Sequence, residues 1–186
     1  MPAEADLAAL RAFLPDFEAY LKSETLFWTV SGSLPALTVA GLLLALRRLS
    51  GWRQVGQLSQ AQMNEFDQLD GQASLLLNQW PVNIEMKAVK EMSSRLNVWA
   101  AALDELQGEG YASAVMPRVY LSLLSPLVAR QPDGAKLQTR LTGLDARLRS
   151  KLTPGPFVWE EALSPTFPAS EFWYLYGRPS ALNKRG

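Results

Sequence analysis

The 186-residue chain contains neither cysteine nor histidine, and each absence excludes chemistry outright. Without a thiol there is no disulfide, no thiolate nucleophile, no iron–sulfur cluster and no cysteine-ligated zinc. Without an imidazole there is no Ser-His-Asp triad, no histidine-pair zinc site, no His-ligated haem and no Glu-x-x-His di-iron centre. Charge is sparse as well, at 19 % of residues, and 18 basic against 18 acidic side chains sum to zero. A neutral chain has no global field to draw it onto nucleic acid, so a nucleic-acid partner is not expected. Hydrophobic residues at 48 % supply a core and argue against disorder. A cysteine-free chain suits a reducing compartment, and the start Met1-Pro2-Ala3-Glu4-Ala5-Asp6 lacks the basic region of a signal peptide. The expected location is the cytoplasm.

One uncharged run is long. Thr25 to Leu46 spans 22 positions without a charge, followed by Arg47 and Arg48. That length could cross a bilayer. Ser31, Gly32, Ser33 and Pro35 would then lie near mid-membrane, where the donor missing at Pro35 has no water to replace it. The run therefore reads as a helix end, a Ser-Gly-Ser turn and a central helix of about 34–50, N-capped by Ser33 and apolar all round through Leu42, Leu43, Leu44, Ala45 and Leu46. Membrane spanning is not expected. Glu24, just before Leu26-Phe27-Trp28, reads as a helix-end carboxylate reaching solvent.

What the chain does have is helical periodicity. Leu7, Leu10, Leu14, Phe17 and Leu21 form a first stripe, with Pro15 predicting a kink or two short helices. Phe66, Leu69, Ala73, Leu76 and Trp80 mark a helix of about 57–79. Val82, Met86, Val89, Leu96, Trp99, Leu103 and Leu106 mark another of about 82–107, closed by Gly108 and Gly110. A proline-interrupted helix over 111–130 and a clean amphipathic one from Asp133 to about 152 complete the set. The fold class is all-α: a single helical bundle of five to six helices over 1–152. Residues 153–186 read as an irregular arm holding five of twelve prolines and seven of eighteen aromatics, with a short helix near 169–176.

Three groups of residues are candidates for function. The arm places Phe157, Trp159, Phe167, Phe172, Trp173, Tyr174 and Tyr176 in one stretch, apolar area that does not stay in water and that packs on its own bundle, on a second copy or on a partner. The 135–152 helix carries a leucine stripe (Leu137, Leu141, Leu144, Leu148, Leu152) flanked by Lys136, Arg140, Arg147, Arg149 and Lys151, with Asp145 its lone acid. Residues 1–110 hold eight basic and thirteen acidic groups, net −5, and the remainder ten and five, net +5. The basic stripe is therefore expected to meet acidic helices of its own fold, with peripheral contact to anionic lipid as the other reading. Glu65, Asp67, Asp70, Glu85 and Glu91 are the carboxylates that could hold Mg²⁺ or Mn²⁺ in a hydrolase. Glu160-Glu161 is the one Glu-Glu pair, and nothing near it completes a helical carboxylate spacing. Gly108-Glu109-Gly110 lacks the third glycine of a dinucleotide loop and follows a helix, so it reads as a turn.

No resident cofactor or metal is expected, nor an enzyme. The expected function is self-association, as a homodimer, or binding of a protein partner through the arm. A second reading is a carrier or sensor of an apolar small molecule held near Trp28, Trp80 and Trp99; a third is the carboxylate-metal hydrolase.

Overall fold

The computed structural model describes residues 2–180, and among them seven helices and one two-stranded sheet, a mostly helical fold. The chain divides into two compact units, residues 1–91 and 92–186, with the division inside a helix.

In the first unit, α1 (Pro2–Lys22) is one element, unbroken at Pro15. Leu10, Phe13, Leu14 and Phe17 are all buried around the proline, so the apolar face continues where a backbone hydrogen bond is missing. The chain then makes a tight excursion. Trp28 and Leu37 exchange backbone hydrogen bonds of 3.1 and 2.8 Å, and Gly32 turns the loop at a φ of 81°, a value that favours glycine. This bridge ties down the segment that the sequence assigns to a helix. Helix α2 (Val39–Gln54) starts later, capped by Thr38 rather than Ser33; the Thr38 hydroxyl accepts the Gly41 N–H at 3.0 Å. None of residues 39–50 is exposed, as an all-apolar helix requires. No helix among the described residues is long and apolar enough to cross a membrane.

Helix α3 (Gln60–Gln79) opens with a reciprocal capping box between Ser59 and Gln62 and buries only Phe66, Leu69 and Ala73. Trp80 alone separates it from α4 (Pro81–Glu105).

The second unit contains the rest of α4, then α5 (Tyr111–Ala114), α6 (Met116–Val128), α7 (Gly134–Arg149), strand β1 (Leu152–Phe157), two 3₁₀ turns (Glu161–Thr166 and Trp173–Leu175) and strand β2 (Tyr176–Pro179). Leu137, Leu141, Leu144 and Leu148 are buried as the leucine stripe predicts. Asp133 stands at the N-cap position of α7, but its side chain makes no capping bond. The sheet is the departure from expectation. β1 pairs antiparallel with β2, Leu152 opposite Pro179 and Phe157 opposite Tyr176, with an irregularity between Pro154 and Phe157. Four consecutive β1 residues are exposed, so no inside–outside alternation marks the strand in the sequence. The close approach depends on Gly177, at φ 148°, where a Cβ would sit 2.3 Å from the Thr153 carbonyl oxygen.

Candidate functional site

The arm's aromatics are largely spent inside their own unit. Phe157, Phe167, Phe172 and Tyr174 are buried, and Trp159, Trp173 and Tyr176 are half-buried. Phe167 is the hub, with edge-on contacts to Trp159 and Phe172 at centroid distances of 5.2 and 5.1 Å and a stacked contact to Phe157 at 6.5 Å. Polar handles lock the cluster. The Trp159 indole N–H donates to the Ala112 carbonyl (2.8 Å), the Tyr111 hydroxyl to the Tyr174 carbonyl (2.8 Å), and the Tyr176 hydroxyl to the carbonyls of Ser164 and Phe167. Burial pushes the Tyr111 and Tyr176 phenols above the ordinary tyrosine value, with the charges of Tyr174 and Glu161 respectively adding to it.

Three of the five basic groups on and just after α7 are spent in the same way. Arg140 donates to Asn97 (2.7 Å), Arg147 pairs with Asp104, and the Lys151 ammonium donates to the Leu103 carbonyl (2.7 Å) near the C-terminal end of α4. Asp145 takes a bidentate pair from buried Arg118 (2.7 and 2.8 Å). Arg118 also reaches Ser122 at 2.7 Å and lies 4.4 Å from the Tyr174 ring centroid, closing a network through the Ser122–Tyr174 hydroxyl contact. Lys136 is exposed, and Arg149 lies over Trp173.

The carboxylates are dispersed among separate tasks. Glu65 is held by Arg11, which keeps its carboxyl below the usual range. Asp67 is held by Arg53 (2.6 Å), and Glu91 accepts the Ala40 N–H at the start of α2 (3.3 Å). Glu85 and Asp70 are half-buried. Among the described residues no three metal-ligating side chains converge. Glu24 reaches solvent and pairs with Lys90 at 2.9 Å, an ammonium that lowers its pKa. The tryptophans have separate tasks too: Trp28 donates to Asp16 (3.2 Å), Trp80 lies under the Lys22 ammonium at 4.6 Å, and Trp99 is fully buried in the second unit.

Sequence reasoning misses how α4 is used. Its first turns bury Ile84, Lys87, Ala88 and Glu91, while Val82 and Met86, read as inward, are 66 % and 55 % exposed. The inward positions go to charged groups that serve other helices' ends. The Lys87 ammonium donates to the Ser23 and Thr25 carbonyls (2.8 and 2.6 Å), just past the last turn of α1, and lies 4.4 Å from the Tyr20 ring centroid. Burial lowers its pKa. Glu91 serves the start of α2. The signal was present as an i, i+4 pair in phase with Ile84 and Ala88, but nothing local distinguishes it from a solvated pair.

The exposed aliphatic side chains lie on both sides of the corner at Trp80, where α3 gives way to α4. Leu75 is 71 % exposed near the end of α3; Leu76, Leu77 and Trp80 are half-buried beside it, and Val82 and Met86 follow on one face of α4. Its flank is closed to ligands that need a free cation. In the recess of about 120 Å³ beside Met86, Lys22 pairs with Glu18, Lys90 with Glu24, and Lys87 with the two carbonyls. Comparison with protein-family models, with curated proteins and with solved structures gave no match for the chain.

Proposed function

We propose that the chain is a non-enzymatic protein that self-associates as a symmetric dimer through the apolar corner of its first unit. The observation that carries this reading is the exposure of Leu75, Val82 and Met86 at 71, 66 and 55 %. Large apolar side chains left exposed close together in sequence, on either side of a helix junction, support an interaction surface there. The occupant follows from charge. The 14 residues from Gly71 to Ile84 carry none, and a two-fold contact lays one patch on its own copy. An uncharged centre brings no like charges together, and the rim is made of neutral pairs, Lys22–Glu18 and Lys90–Glu24. Trp80, held under Lys22, supplies a rigid aromatic anchor. Four of the arm's seven rings are already buried in their own unit, which supports the corner over the arm as the contact surface. The protein works in the cytoplasm, where a cysteine-free chain fits a reducing environment.

Sedimentation equilibrium of the full chain at micromolar concentrations tests this. Leu75→Glu and Val82→Glu are each expected to weaken dimerisation by at least about tenfold, roughly 1.4 kcal/mol, with the helical circular dichroism unchanged. A wild-type monomer at every concentration, or a dimer indifferent to both substitutions, overturns the reading.

A further inference from the structure

The second unit carries an open groove of about 340 Å³, lined by Arg149, Leu152, Pro154, Ala169, Trp173 and Tyr176. That volume is near the lower end for small-molecule sites, about 300–1,000 Å³, and suits a molecule of one or two rings. Five of the six lining residues are apolar or aromatic; the sixth is a cation. The Arg149 guanidinium lies 3.6 Å from the centroid of the Trp173 ring. Stacking against an indole orients a guanidinium while leaving its in-plane N–H groups available. Among the described residues no carboxylate pairs with it, in contrast to Arg147 and Arg118, which are engaged by Asp104 and Asp145. Tyr176 is equally fixed, its hydroxyl committed to the Ser164 and Phe167 carbonyls, so its ring serves only as a wall.

We infer that this groove binds a small flat organic anion, an aryl carboxylate, with the ring lying along Trp173, Pro154 and Tyr176 and the carboxylate accepting the guanidinium fork of Arg149. Planarity answers the aromatic walls. The negative charge answers the one cation of the unit's basic helix that has a stacking partner but no acidic one. Nothing in this inference depends on the apolar corner, which belongs to the other unit.

The test is ligand-observed saturation-transfer NMR with 2-naphthoate on the full-length protein, with naphthalene-2-carboxamide as the uncharged control. The acid should receive saturation and bind about tenfold more tightly than the amide. Arg149→Gln, an exposed position that leaves the core intact, should weaken the acid to the level of the amide, and Arg149→Lys should restore part of the difference. Trp173→Leu should weaken both ligands. Absence of transfer to naphthoate, equal binding of acid and amide, or an Arg149→Gln protein that binds like wild type overturns the inference.

Discussion

In the first unit two charged side chains, Lys87 and Glu91, take inward positions on α4, while two aliphatic ones, Val82 and Met86, stay outside. In the second unit the inward positions go mostly to rings, and the one buried cation, Arg118, is held by Asp145. Phe157, Phe167, Phe172 and Tyr174 are buried, and Arg140 and Arg147 of α7 reach polar groups on α4 instead of turning inward. The difference traces to which helix ends need partners. The Ser23 and Thr25 carbonyls just past α1 find their donor, and the Ala40 N–H in the first turn of α2 its acceptor, outside their own helices; a buried backbone group without a partner costs about 1–3 kcal/mol. Lys87 and Glu91 meet that need from one helix face, and the apolar pattern of α4 yields to it. Unsatisfied polar groups can therefore outrank an apolar stripe in deciding which way a helix faces.

Truncating one apolar side chain in each unit should separate the two most strongly. Phe167→Ala removes the hub of the aromatic cluster and is expected to cost about 3–5 kcal/mol. Met86→Ala should change the stability of the monomer by no more than about 0.5 kcal/mol, because the side chain is mostly in solvent. Urea titration of both variants at a concentration too low for self-association checks the pair. Equal losses would mean that Met86 is packed inside the first unit and the corner is no free surface.

The units should also part at alkaline pH. Tyr111 and Tyr176 hold their protons above the ordinary tyrosine value near 10, so the folded protein retains protons that the unfolded chain releases. Their contribution is complete below pH 10 and is lost as pH rises beyond it. Lys87 has the opposite sign. Its folded value lies below the ordinary 10.5, so its contribution grows as pH climbs toward that value. Phenolate absorbance should show Tyr111 and Tyr176 ionising late, and Tyr176→Phe with Tyr111→Phe should flatten the alkaline loss of stability, whereas Lys87→Met should steepen it. Tyr111 and Tyr176 ionising near pH 10 would contradict the burial described for the cluster.

Much of the fold is legible in the sequence where the pattern is local. The leucines of α7 are buried in phase, the heptad-like Phe66, Leu69 and Ala73 face inward on α3, and residues 39–50 form the covered helix their composition suggests. The misreadings are non-local. Ser33 loses the cap of α2 to Thr38 because Trp28 and Leu37 pair across a loop. Pro154-Gly155-Pro156 reads as a helix stop, yet it also lies in a strand whose partner begins at Tyr176, with Gly177 admitting the close approach. The inward turn of Lys87 and Glu91 depends on helix ends more than fifty residues away in sequence. Periodicity carries no information about such partners.

The proposed self-association surface rests on that inward turn, and the five methionines offer probes of it. In ¹³C-methyl NMR of the full-length protein over a dilution series, the Met86 methyl should shift and broaden with concentration. The buried Met92 and the half-buried Met116, which belong to the second unit, should stay fixed. Concentration dependence is expected at Met86 and absent at Met92 and Met116; a Met86 resonance that ignores dilution, or a shift that appears at Met116 instead, would rule out the corner as the contact surface.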